Sequence, residues 1–251
     1  MSSAEERKFE LYEGLPRQGP GCAEATRRAF KMLPIAAGRP DILDIGCGSG
    51  AQTVELALCS GGRVTAVDIH EPFLRALEEA AREAWLEDRI QTRVMSMEQL
   101  DFPDGTFDLV WSEGAVNHMG FENGLRAWRR LLRPGGCAAV SELTWLTPYP
   151  PEEARTFWNN AYPAMGEISE NLDRARRAGY APLDTFTLPE SAWWDEYYTP
   201  QLAKLATLER RYPKDSVLAS LIAGVRAEIN LYRRHSSAYG YVFYLLRRAA
   251  D

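Results

Sequence analysis

Asp41-Ile42-Leu43-Asp44-Ile45-Gly46-Cys47-Gly48-Ser49-Gly50 reads as a short apolar strand that carries an acid near its end and runs into three alternating glycines. Glycine has no Cβ, so the backbone can turn sharply there and a ligand can approach it closely. The helix expected from Ala51 presents unpaired N–H groups at its start. These features make a binding loop at the carboxyl end of a first strand, where open α/β sheets hold ligands.

Gly46-Cys47-Gly48-Ser49-Gly50-Ala51 also fits the dinucleotide fingerprint G-x-G-x-x-A. Asp44 argues against a nicotinamide or flavin dinucleotide, because a carboxylate beside the loop repels a pyrophosphate, the more so in a half-buried site. A donor without phosphate suits the acid better. S-Adenosylmethionine offers a sulfonium, an α-ammonium and a ribose diol. The competing role for Asp44 is a cap on the helix that follows.

The D-x-G-x-G-x-G loop resembles motif I of the class I S-adenosylmethionine-dependent methyltransferases, and four further stretches follow in that family's order. Residues 64–68 resemble the second strand with its ribose-binding acid, and 103–110 the turn and fourth strand. Residues 131–136 resemble the turn before the fifth strand, and 240–247 the antiparallel last strand. The likeness is to small-molecule methyltransferases related to the ubiquinone/menaquinone-biosynthesis type and is densest over residues 40–142. It implies a Rossmann-like, doubly wound α/β fold with a seven-stranded sheet, its last strand antiparallel, and S-adenosylmethionine as cofactor. By the same resemblance Asp44 meets the methionine end, and Gly46, Cys47, Gly48 and Gly50 form the loop beneath it. Asp68 then accepts the ribose hydroxyls with Ile69 beside it, and Ser96 and Met97 adjoin the adenine. Ser96 stands where related sequences carry an aspartate, so it can accept a hydrogen bond but brings no charge.

Outward from the loop, strands at 41–45, 63–68, 90–94, 107–111 and 137–143 alternate with helices at 51–60, 71–84 and 121–131. That alternation predicts a parallel sheet with helices on both faces. Helices at 4–12 and 23–33 flank a turn-rich segment, so residues 1–38 read as a helical cap over the cofactor, with a polar, frayed start at Met1 to Glu6. Residues 39–147 form the cofactor-binding core and 148–251 the aromatic-rich substrate side of a single domain. In that last part the pattern gives helices near 152–161 and 167–178 and a sixth strand at 181–188. An inserted helical lid within 192–236, from helices near 196–211 and 214–235, precedes the last strand at 239–248.

Glu113, Asn117 and His118 follow the fourth strand, between the expected position of the cofactor's methyl group and the acceptor. Glu113 is expected to touch the cofactor and, with His118, to orient or deprotonate the acceptor, since histidine titrates near neutral pH. A hydrogen bond within its own loop is the competing role for His118. Asn117, His118, Trp145, Tyr162 and Tyr197 are the candidate acceptor contacts. Their rings suit a flat or cationic acceptor through stacking or cation–π contact, or else pack as ordinary core between helices.

Composition excludes other classes. With 45% hydrophobic and 25% charged residues the chain of 251 has an ordinary soluble make-up and enough length for one large domain. A net charge of −6 argues against a nucleic-acid partner. Cys22, Cys47, Cys59 and Cys137 show neither metal-ligand spacing nor a secreted framework, so they read as reduced thiols. Without a signal peptide or an apolar run that spans a bilayer, the expected compartment is the cytoplasm. The expected function is methyl transfer to a small molecule, and a homodimer is compatible with it. The rivals are a nicotinamide-dependent oxidoreductase and a non-catalytic module that keeps the cofactor fold.

Overall fold

Ile42, Leu43 and Ile45 are all fully buried, and alternation along the strand sends Leu43 and Ile45 to one face and Ile42 to the other. The strand that holds them, β1 (Asp41–Ile45), is therefore covered on both sides and lies inside a sheet. In the computed structural model, which describes residues 3–35 and 38–250, it pairs in parallel with β2 (Arg63–Asp68) and β4 (Phe107–Glu113). Met1 and Ser2 of the expected polar start lie outside the described residues.

The remaining strands are β3 (Ile90–Val94), β5 (Leu132–Trp145), β6 (Gly166–Glu167), β7 (Tyr180–Thr187) and β8 (Tyr239–Arg248). Their order is β3-β2-β1-β4-β5-β8-β7, with the two-residue β6 also on β5. Strand β8 runs antiparallel to both β5 and β7, so it alone opposes the sheet, as the resemblance implied. The short β6 makes an eighth strand that no sequence pattern announced.

Two helical layers cover the sheet. On one face α2 (Ala23–Met32), α3 (Ala51–Ser60) and α4 (Glu71–Glu83) pack Ala29, Leu56 and Leu77 against Ile42, Trp111 and Phe243. On the other, α5 (Phe121–Trp128) and α7 (Ile168–Arg177) pack Leu125, Trp128 and Ala175 against Leu43, Val110 and Val140. A third cluster gathers Trp158 of α6 (Glu152–Ala161) with Trp193, Tyr197, Tyr198, Tyr232 and Tyr239. The first helix, α1 (Ser3–Glu10), lies against α10 (Ser216–His235), which joins cap to lid.

Several boundaries differ from the sequence expectation, each for a local reason. Strand β5 starts at Leu132 rather than 137, because Gly135 takes a left-handed φ of +75° and the register against β4 shifts between Phe107 and Leu109. The helix expected over 121–131 tightens to a 3₁₀ turn at Arg129–Leu131. The lid begins at α8 (Ser191–Trp193) and widens to a π turn at Trp194–Tyr198 before α9 (Thr199–Arg211). Pro200 has no N–H to give the carbonyl four residues back, which favours the wider turn there. Among the described residues no helix is long and apolar enough to cross a membrane.

Candidate functional site

The glycine turn leaves β1 with Gly46, Gly48 and Gly50 at φ of +69°, +54° and +81°. None of these glycines has room for a side chain, Gly48 because Gln18 Oε1 lies 2.3 Å from where its Cβ would stand. A Cβ on Gly46 would stand 2.6 Å from the Ala115 methyl, and one on Gly50 2.2 Å from Leu77. The N–H groups of Gly46 and Cys47 donate to Val67 O, which ties the turn to β2. Cys47 is buried, and burial pushes its thiol pKa up, so it is a packing residue of the loop.

Asp44 lies wholly buried under this turn. Its Oδ2 accepts from Thr53 Oγ1 at 2.6 Å and from Gln52 Nε2 at 3.2 Å, and Gln52 also donates to Cys47 O at 2.9 Å. The acid thus holds the first turn of α3 through side chains, while Oδ1 has no partner. Burial, opposed by the Thr53 bond and reinforced by Glu113 and Asp68, pushes its pKa up to about 7.

Asp68 ends β2 beside the turn, with Oδ2 accepting from Gly48 N and Oδ1 from His70 N, both at 2.9 Å. A carboxylate has about four acceptor positions, so these two bonds orient it and leave capacity for ligand hydroxyls. Ile69 next to it is 58% exposed, an apolar surface open to a base. Met97 reaches back towards Gly46, and its carbonyl accepts from Trp128 Nε1. Ser96 Oγ is engaged locally, accepting from Glu98 N at 3.2 Å.

The cap closes this side through residues that no sequence signal marked. Gln18 Oε1 accepts from Ser49 N at 2.7 Å, directly over the turn. Arg17, 4% exposed, pairs with Glu113 at 3.2 Å and with Glu196 of the lid at 2.7 Å. Burial lowers the Arg17 pKa, but the two carboxylates outweigh it and hold the guanidinium above its ordinary value. Glu113 also accepts from Thr26 Oγ1 at 2.7 Å and Trp111 Nε1 at 3.0 Å. With three donors on its oxygens, Glu113 braces the cap instead of standing free as a base. His70 stacks on Phe9 at 4.0 Å and meets Glu13 Oε1 at 2.7 Å, a second cap contact.

On the acceptor side, Asn117 and His118 form a 3₁₀ turn (Val116–His118) that packs against β5. His118 stands at the rim, and the surrounding protein, then Lys8, lowers its pKa below the ordinary imidazole value. It is therefore neutral at physiological pH and able to accept a proton. Trp145 and Tyr162 are half-buried against the third cluster, whereas Tyr197 is buried in it with its ring tilted against that of Tyr198. Adjacent Trp193 and Trp194 divide as their geometry requires, Trp193 being 1% exposed and Trp194 only packed against the cluster. Among the buried polar groups not singled out as site residues are Glu142 and Gln201, whose side-chain polar atoms lack well-formed hydrogen bonds. Burial pushes Glu142 up to about 8. An open groove of about 690 Å³ lies at the opposite end of the sheet beside Asp41, Arg63 and Arg133 and holds none of these residues.

Residues 43–140 match the family described as a methyltransferase domain. The 27-O-demethylrifamycin SV methyltransferase of Amycolatopsis mediterranei is 34% identical over 126 residues, 50% of this chain and 46% of that protein. The ubiquinone/menaquinone biosynthesis C-methyltransferase of Hydrogenovibrio crunogenus is 31% identical over 57% of each. The chain spans about half the length of the curated relatives it matches. An S-adenosylmethionine-dependent methyltransferase from Geobacter sulfurreducens, solved with S-adenosylhomocysteine, shares the fold at a TM-score of 0.79 and 20% identity, over 96% of this chain and 97% of that one.

Arg17→Ala leaves Glu113 buried without its cation, and such a loss costs about 3–5 kcal/mol. Urea denaturation is expected to read that loss, and a change below about 1 kcal/mol would contradict the clasp. Asp44 and Glu142 both bind protons more tightly in the folded chain than in the unfolded one, where their ordinary values are 3.8 and 4.5. The folded state therefore binds more protons between those values and about 7 or 8, and stability falls as pH rises, by about 1.4 kcal/mol per pH unit for each group while it titrates. Melting temperatures from pH 5 to 8 are expected to drop in the wild type and to drop less in Glu142→Gln; identical slopes would contradict the assignment.

Proposed function

We propose that this chain, whose residues 43–140 match the methyltransferase-domain family and whose fold is shared with a solved methyltransferase, transfers a methyl group from S-adenosylmethionine to a small molecule enclosed by cap and lid. One observation carries the reading: beneath a glycine turn lies a buried acid with an unpartnered oxygen, flanked by a second acid and an exposed isoleucine. This donor set fits the cofactor. Asp44 would serve its methionine end, Asp68 its ribose diol, and Ile69 with Met97 its base. A pyrophosphate would meet carboxylates on both sides of the turn.

The bound cofactor supplies a methyl group activated by a sulfonium, and its transfer is an in-line displacement. Alignment and exclusion of water can provide roughly 7–11 kcal/mol towards such a step. The chain's own residues supply those two things. Arg17 ties the cap to the β4 edge and to the lid at once, and Gln18 seats the cap on the turn. His118, neutral at the rim, takes a proton from the acceptor where one must leave.

Asp68→Asn is expected to weaken S-adenosylmethionine binding by roughly 1.5–3 kcal/mol, the worth of a hydrogen bond to a charged group. Calorimetry checks this, and unchanged affinity would remove the ribose role. His118→Ala should lower turnover while cofactor affinity stays constant. Wild-type turnover in that variant would return His118 to a contact within its own loop.

A further inference from the structure

Glu142 is a buried acid that none of these roles uses. It stands at the carboxyl end of β5, one position past Ser141, which pairs with Glu113 across the strands. It is 1% exposed, and neither of its oxygens has a hydrogen-bond partner. Asn117, on the turn packed against the same strand, also leaves its buried Oδ1 without a donor. Three unfilled acceptor atoms thus sit at one edge of the sheet, beside the loop that carries His118. A buried carboxyl without partners costs free energy comparable to several lost hydrogen bonds, and folded chains rarely keep one unless something else satisfies it.

No neighbouring side chain closes a well-formed hydrogen bond to it, though Tyr162 and Arg174 stand near and draw its pKa down against the burial. Arg174 of α7 donates from Nη1 to Ala164 O and Asn171 Oδ1, and reaches Glu142 through its charge and not through a hydrogen bond. The Tyr244 hydroxyl is engaged with Thr144 and Asn171. Tyr162, at the end of α6, and Tyr241 of β8 are the remaining titratable groups that face Glu142; burial pushes both phenols up, so they stay neutral, and the Tyr162 hydroxyl is a side-chain donor close enough to lower the Glu142 pKa. The ring of Tyr241 lies 3.7 Å from where a Gly114 Cβ would stand and 5.4 Å from the Trp193 ring, so it bridges the β4 loop and the lid.

We infer that Glu142 and Asn117 bind the acceptor, and that the group they take is a primary or secondary amine. The inference rests on the proposed methyl transfer and names its substrate class. Three acceptor atoms call for a donor-rich partner. A protonated amine brings two or three N–H groups and a charge, an alcohol brings one O–H, and an ether or ketone brings none. The aromatic walls suit the same cation. The proton balance closes without a further reactant: a neutral amine takes the proton of the Glu142 carboxyl to form an ammonium–carboxylate pair. The same proton passes back to Glu142 Oε when the nitrogen lone pair is needed.

The test titrates protein loaded with S-adenosylhomocysteine with benzylamine and phenethylamine, and with benzyl alcohol and 2-phenylethanol as neutral counterparts. The amines are expected to bind at least tenfold more tightly than the alcohols. Glu142→Gln should abolish that preference and leave affinity for S-adenosylhomocysteine unchanged. Asn117→Ala, which removes one acceptor on a surface turn, should reduce the preference in part and keeps the test open if the Glu142 variant does not fold. Equal binding of amines and alcohols, no amine binding by the wild type, or a preference that survives Glu142→Gln would overturn the inference. Failure of S-adenosylhomocysteine itself to bind would instead overturn the methyltransferase reading on which it rests.

Discussion

A carboxyl group with no path to water, fixed at the end of β1, sets the geometry of everything around it. Asp44 holds Thr53 and Gln52, those two residues hold the first turn of α3, and Gln52 holds the carbonyl of Cys47. The glycine turn between strand and helix is therefore pinned at both ends. Its left-handed residues have no room for side chains, since Ala115 and Leu77 fill the space on either side. The cost of burying the acid appears as a raised pKa, and its unpartnered oxygen remains as an acceptor beside the turn. A fold that keeps such an arrangement keeps it for a ligand able to offset the desolvation.

The charge around the turn is consistent with that ligand. Asp44, Asp68, Glu113 and Glu142 all lie at the carboxyl edge of the sheet, and Arg17 is committed to Glu113 and Glu196. With Glu113 paired to Arg17 and Glu142 held protonated by burial, Asp68 and Asp44 beside the turn are the acids that, on the proposed function, favour a cationic nucleoside over a phosphate-bearing one. The same clasp encloses the site, because Arg17 belongs to the cap, Glu113 to the sheet and Glu196 to the lid.

The sheet and its helices were legible because each strand and helix announces itself within ten or so residues. β1 and β2 occupy the expected spans, and β8 follows as the lone antiparallel strand. The cofactor loop was legible for the same reason, its acid and glycines being contiguous. Glu113 lies at the end of β4, yet its partners in the cap lie 87 and 96 residues away, so its bracing role left no local mark. Arg17 and Gln18 sit in a turn-rich stretch whose composition shows only that it is not helical. Glu142 looked like one more residue at a strand end, since burial without partners is a property of packing and not of sequence. The π turn and the two-residue β6 likewise arise from tertiary context.

Calorimetric titration of the purified chain with S-adenosylmethionine and, separately, with NAD tests most directly whether the buried acid selects a sulfonium donor. Micromolar affinity for S-adenosylmethionine with no detectable heat from NAD is the predicted result. Micromolar NAD binding with none for S-adenosylmethionine would contradict it.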